Sequence, residues 1–171
     1  MLRSPAQLRS AGLPVWKQLI VSGLYTGMSP LASGTLASAL AATVYFLPFG
    51  TNPWFLLGLA AAAYGVGIPL ARQAEEVIGP DPSYVTIDEF AGQWLAMASP
   101  FLFVHDPMWA ALTFFLFRVF DIAKVWPASY FDSLRGGFGI MTDDIAAAVY
   151  ANILSHLLWF GVIGVRQYFG L

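Results

Sequence analysis

The chain has 171 residues, 58% of them hydrophobic and 11% charged, with a mean hydropathy of +0.66 and a formal net charge of −2. A soluble domain carries about a quarter of its residues as Asp, Glu, Lys and Arg, so this composition predicts an integral membrane protein, one domain over 1–171, with four or five spans of roughly 20 residues each. Eight dispersed cations build no phosphate-tracking stripe, which excludes nucleic acid as a partner, and the lack of cysteine excludes disulfides, thiolate metal sites and thiol catalysis.

Residues 1–28 carry Arg3, Arg9 and Lys17, broken by Pro5 and Pro14. No compact apolar core with a small-residue cleavage site follows, so this is read as a retained cytoplasmic segment containing an interfacial helix near Val15 to Leu24. The first apolar run is Gly34 to Phe49, which as a helix would rise about 24 Å. The second, Pro53 to Ala71, contains no charge. Arg72, Glu75, Glu76 and Gly79 to Pro82 read as a polar, turn-rich connection.

The third run starts near Thr86, carries Asp88 and Glu89 in its first turn and continues to Val104. His105-Asp106-Pro107 reverses the chain, and Met108 to Lys124 is the fourth run. Val125 to Met141 reads as a loop, and Asp143 to Val165 as the fifth run. The expected fold is therefore all-α, a polytopic membrane bundle of about five short spans plus the interfacial segment. With the N-terminus inside, seven of the eight Lys and Arg fall on or near the cytoplasmic side and the C-terminus lies outside.

This topology brings Asp88, Glu89, Asp121, Asp143 and Asp144, from three helices, to one depth on the cytoplasmic face. Each doublet alone is explained by an acidic first turn on the helix dipole, with Thr142 as N-cap for Asp143-Asp144. Asp121 alone is explained as a carboxylate neutralised by Arg118 and Lys124, three residues away on either side. Together they need more, because five converging anions repel one another without a cation.

Mg²⁺ takes oxygen ligands and is commonly held by one or two carboxylates plus phosphate and water. The five carboxylates, with Arg118, Lys124 and the turn Gly136-Gly137-Phe138-Gly139, read jointly as a metal-assisted phosphoryl site. The cations would take developing phosphate charge, and the glycines would permit close backbone approach. A lipid phosphate is the natural substrate at headgroup depth. Ser33, Gly34 and Thr35 open the first run and could bind an anion through free helix N–H groups, or simply be a capped start. Asn152 and His156 could line the bundle or form an interhelical hydrogen bond. Asp106, at the opposite end, and Asp132, in the loop, are assigned no role.

The runs VTIDEFAGQWLAM (Val85 to Met97), FRVFDIAK (Phe117 to Lys124) and GGFGIMTDDIAA (Gly136 to Ala147), preceded by SPLASGTLAS (Ser29 to Ser38), resemble the phosphatidylglycerophosphatase A family. The resemblance implies a small multi-spanning Mg²⁺-dependent enzyme of a bacterial inner membrane. Its site would face the cytoplasm and remove the terminal phosphate of phosphatidylglycerophosphate. It assigns acidic motif roles to Asp88, Glu89, Asp121, Asp143 and Asp144, and basic ones to Arg118 and Lys124. The chain departs from the pattern at Ser33, Ala37, Val125 and Ala147, none of them charged. The competing class is a small divalent-cation transporter, which would place ionisable groups near the midplane and often shows repeat symmetry; no repeat is visible here.

Overall fold

A computed structural model describes residues 5–80, 82–100 and 104–169, with side chains as far as Ile163. Arg3, Asp81, the Phe101 to Phe103 part of the third run and the last two residues lie outside the described residues. The described residues hold eight α-helices and no strand: α1 (Pro5–Ser10), α2 (Val15–Val21), α3 (Ser33–Ala42), α4 (Pro53–Ile78), α5 (Ile87–Met97), α6 (Pro107–Ala123), α7 (Ala128–Asp132) and α8 (Gly137–Phe169).

Local chemistry sets several helix ends. Asn52 Oδ1 accepts from the N–H groups of Trp54 and Phe55, with Pro53 in the first turn, where its missing donor costs nothing. Asp106 and Pro107 repeat the device at the start of α6, Asp106 Oδ1 accepting from Met108 N–H. The end of α6 is Lys124 in the left-handed conformation, φ +48°.

α5 is the central element, packing against α3, α4, α6 and α8. Its buried side chains include Glu89 and Gln93 as well as Ile87, Phe90 and Met97. Small residues let the helices approach. A Cβ on Gly92 would lie 2.5 Å from the Phe117 ring of α6, and one on Gly67 would lie 2.5 Å from Met141 of α8. The N-terminal segment is fastened to this core. Thr86 N–H donates to the Val21 carbonyl at 2.9 Å, Thr26 and Thr86 share a hydroxyl hydrogen bond, and Lys17 Nζ donates to Gln73 Oε1 at 2.7 Å.

The expected elements are revised in four places. α4 runs on through Arg72, Glu75 and Glu76 to Ile78, so the polar connection begins only at Gly79. The third run forms an 11-residue helix ending at Met97, about 16 Å long, because its last carbonyls find partners on α8. Asn152 Nδ2 lies 3.2, 3.0 and 2.6 Å from the carbonyls of Leu95, Ala96 and Ala98, the interhelical alternative for that residue. His156 lies 3.1 Å from Ser99 Oγ and stacks edge-on to Trp109.

The expected loop Val125 to Met141 contains α7 and the first turn of α8. α8 thus starts at Gly137, and Thr142 is no cap: its hydroxyl donates to the Phe138 carbonyl inside the helix. Finally, among the described residues two helical stretches, Pro53–Ile78 and Gly137–Ile163, are long and apolar enough to cross a membrane by themselves, where five spans were expected. The first run is a shorter apolar stretch, Ser33–Phe46.

Candidate functional site

Four helix ends meet around a cavity of about 230 Å³. Ser33 and Gly34 come from the first turn of α3, Asp88 and Glu89 from that of α5, Asp121 and Lys124 from the end of α6, and Asp143 and Asp144 from the second turn of α8. The five expected carboxylates therefore line one space. Arg118 joins them from one turn back on α6, bound to two of their number.

The carboxylates divide by what holds them. Glu89 Oε2 accepts from Arg118 Nη1 and lies 2.8 Å from the Ser38 hydroxyl. Asp121 sits between the cations, 3.1 Å from Arg118 Nη1 and 3.9 Å from Lys124 Nζ. Lys124 also pairs with Asp143 Oδ2. Two oxygens stay free: Asp143 Oδ1 and Asp144 Oδ2 are buried and accept no hydrogen bond. Asp88 is half-buried, and its Oδ1 accepts from Glu89 N–H at 2.9 Å.

Burial makes this arrangement costly unless it is used. The Glu89, Asp121 and Asp143 side chains are 10%, 10% and 7% exposed, and a buried charge persists only when paired, hydrogen-bonded or bound to a cation. Five acids face two bases here. Among the described residues no three acidic or imidazole groups already stand together at metal-ligand spacing. The free oxygens are hard donors of the type Mg²⁺ takes, and a cation that keeps its waters and a phosphate needs only one or two of them.

On the anion side, Lys124 reaches the cavity with its side chain 33% exposed. No side chain caps α3, whose Ser33 and Gly34 line the same space, while Thr35, half-buried in the same turn, does not. Gly34 has a second reason to be glycine: a Cβ there would lie 2.0 Å from Glu89 Oε1 and 3.1 Å from Arg118 Nη2. Gly136 and Gly137 lie outside the cavity lining. Gly136 supplies φ +88° before α8. Gly137 lets α8 lie against α4, since a Cβ would stand 1.8 Å from the Ile68 carbonyl oxygen. Gly136 thus serves the turn and Gly137 the packing.

Two site residues escaped the sequence reading. Ser38 has the signal of being one turn beyond Gly34. Asp132 of α7 lies 2.9 Å from Lys124 Nζ, and nothing in the sequence ties it to a residue eight positions earlier across a turn.

Hard oxygen donors and fixed cations in one buried cavity at the end of a helical bundle define a protein that handles phosphate esters. Residues 19–159 match the family model described as phosphatidylglycerophosphatase A, so the chain belongs to that family and is a phosphoric monoester hydrolase. It is 37% identical over 135 residues to phosphatidylglycerophosphatase A of Escherichia coli, covering 77% of this chain and 76% of that one. It is 32% identical over 142 residues to the protein of the same name from Haemophilus influenzae, covering 80% and 84%. A Bacteroides thetaiotaomicron protein named, provisionally, a phosphatidylinositol-3-phosphatase is 37% identical over 155 residues, covering 85% and 93%. No solved structure matches the chain.

Proposed function

We propose that the protein is a Mg²⁺-dependent membrane phosphatase that hydrolyses the terminal phosphomonoester of phosphatidylglycerophosphate, giving phosphatidylglycerol and phosphate. The observation that carries this reading is how the carboxylates are used: Glu89, Asp121 and one oxygen of Asp143 pair with Arg118 and Lys124, while Asp143 Oδ1 and Asp144 Oδ2 are buried and free. Asp143 and Asp144, with Asp88 on the same cavity wall, are the residues that would hold Mg²⁺. When bound, the metal would supply charge neutralisation at the phosphate and a more acidic water.

The chain's own groups do the rest. Lys124 and the free N–H groups at the start of α3 bind the phosphate oxygens, and Arg118 stabilises the charge that spreads over them as the P–O bond to glycerol breaks. Glu89 and Ser38 fix Arg118 in position, and Asp121 spaces it from Lys124. Water supplies the incoming oxygen, and its protons leave to the glycerol alkoxide and to the carboxylate cluster.

The bilayer supports the substrate class. α4 and α8 are long enough to span it, α3, α5 and α6 complete the bundle as shorter membrane-embedded helices, and exposed Phe115, Ile122, Ile153 and Leu157 give an outward face that suits lipid. The distribution of Lys and Arg supports a site on the cytoplasmic face of a bacterial inner membrane. The provisional name of the Bacteroides relative favours a second substrate, a phosphoinositide monoester.

Phosphate release by purified protein from phosphatidylglycerophosphate, phosphatidylinositol 3-phosphate and phosphatidic acid, with Mg²⁺ and with EDTA, tests the reading. The expected result is EDTA-sensitive release with phosphatidylglycerophosphate the best substrate. Preference for the inositol lipid would replace it, and release that survives EDTA would remove the metal.

A further inference from the structure

A second cavity, about 420 Å³ and walled by apolar side chains and a glycine, runs along the opposite face of α5. Its walls are Leu19 and Ile20 on α2 and Leu24 just after it, Ala62 and Val66 on α4, and the Ile87–Phe90–Trp94 face of α5. We propose that this groove holds an acyl chain of the lipid whose phosphate occupies the carboxylate cavity. The proposal rests on the substrate reading above and adds where the lipid body lies.

Adjacency to the site carries the argument: the two cavities share no lining residue and lie on neighbouring residues of α5. Thr86 lines the phosphate cavity and Ile87 the groove; Glu89 lines the cavity and Phe90 the groove. The first turn of α5 is thus the common wall, and a lipid with its headgroup on one side has an apolar channel within one residue on the other. The α2 lip is built in place. It is tied down by the Thr26–Thr86 hydroxyl pair and the Thr86–Val21 backbone bond, and it turns through Gly23, Leu24 and Tyr25 in left-handed conformations. A Cβ on Gly23 would lie 2.6 Å from the Phe90 ring, so this lip cannot close further on α5.

Depth agrees as well. The α4 wall of the groove starts at Val66, next to Gly67, where a Cβ would stand 3.4 Å from Ile87 in the first turn of α5, and runs seven positions to Leu59, about 10 Å away from the level of the phosphate site. An acyl chain runs in that direction. Another cavity walled by apolar residues, between α3 and α6, includes Phe46 and Pro107, at the opposite ends of those helices from the phosphate site.

The test fills the groove at exposed positions of α4, with Ala62→Trp and Val66→Trp, and uses Ile153→Trp on the exposed face of α8 as a bulk control. Phosphate release is measured on long-chain and dihexanoyl phosphatidylglycerophosphate in the same detergent. The groove variants should lose about tenfold or more in kcat/KM on the long-chain lipid, the equivalent of roughly two buried methylenes, and little on the short one. Ile153→Trp should leave the ratio unchanged. An unchanged ratio in the groove variants, or an equal fall in the control, would overturn the proposal.

A wild type inactive on both lipids but active on another monoester would instead overturn the substrate reading, and the occupant with it. Photolabelling of wild type with a diazirine-tailed phosphatidylglycerophosphate is independent of turnover. Labels on Leu24, Ala62 or Val66, competed by unlabelled substrate and not by phosphatidylcholine, support the groove; labels spread over α6 and α8 refute it.

Discussion

Lys124→Ala separates a phosphate ligand from a mere counter-ion. Lys124 Nζ pairs with Asp143, lies 2.9 Å from Asp132 and 3.9 Å from Asp121. If it also takes a phosphate oxygen, its removal loses a charge-assisted hydrogen bond of about 1.5–3 kcal/mol, or about ten- to a hundredfold and somewhat more in kcat/KM at saturating Mg²⁺. Stability falls by a different route. The Asp143 side chain, 7% exposed, loses its cation, and breaking a buried pair costs about 3–5 kcal/mol, whereas Asp132, 43% exposed, gives up about 0–1 kcal/mol. Mg²⁺ at Asp143 should restore most of the lost thermal stability and little of the lost turnover. Steady-state phosphate release and thermal unfolding across one Mg²⁺ titration read both. Full recovery of kcat/KM with Mg²⁺, or a lowered melting temperature with kcat/KM unchanged, would refute phosphate binding by Lys124.

Asp121→Asn and Asp144→Asn should each abolish turnover with the protein still folded by circular dichroism, while Asp106→Asn keeps full turnover because Asn also caps α6; activity within a few fold of wild type in either site variant would remove that residue from the mechanism. Gly34→Ala should cut kcat at least tenfold, since its methyl group displaces Glu89 from Arg118, and a wild-type rate would show that this pair is not used. Glu89→Gln weakens the hold on Arg118, and the expected outcome is a lower kcat with the Mg²⁺ requirement little changed; a shifted Mg²⁺ midpoint would make Glu89 a metal ligand instead. A cysteine placed at the exposed Ser129 should resist an impermeant reagent added from outside intact cells, and labelling from that side would invert the proposed topology.

The charged part of the site was legible because charge is scarce in this chain. Asp88, Glu89, Arg118, Asp121, Lys124, Asp143 and Asp144 had no solubility reason to gather, and all seven meet in the structure. Backbone boundaries were less legible. Gly136, Gly137 and Gly139 read as a turn, yet Gly137 opens α8 and is glycine because the backbone of α4 passes beside it, a contact with no trace in local sequence. The end of α5 was read past although Pro100 follows three residues after Met97; the apolar run continues beyond it, and Asn152 of α8 and Trp109 of α6, which take the last carbonyls, are distant in sequence. Asp132 escaped for the same reason: its partner is near in space through a turn whose geometry composition does not specify.

That Asn152 contact has a metrical consequence. α5 and α8 run in the same direction, with Gly92 beside Asp144 and the end of α5 beside Asn152. The three carbonyls that Asn152 touches lie seven, eight and ten positions after Asp88, and Asn152 lies nine after Asp143, so both helices cover about 13 Å between the two levels. Asn152 thus works as a peg in a pair of matched rulers: by clasping the carbonyls at one end it sets the axial register that brings the acidic doublets level at the other. A one-residue slip would raise one doublet about 1.5 Å above its neighbour and rotate it by about 100°, out of the cavity. A half-buried amide far from the carboxylate cavity therefore calibrates the spacing on which the site depends.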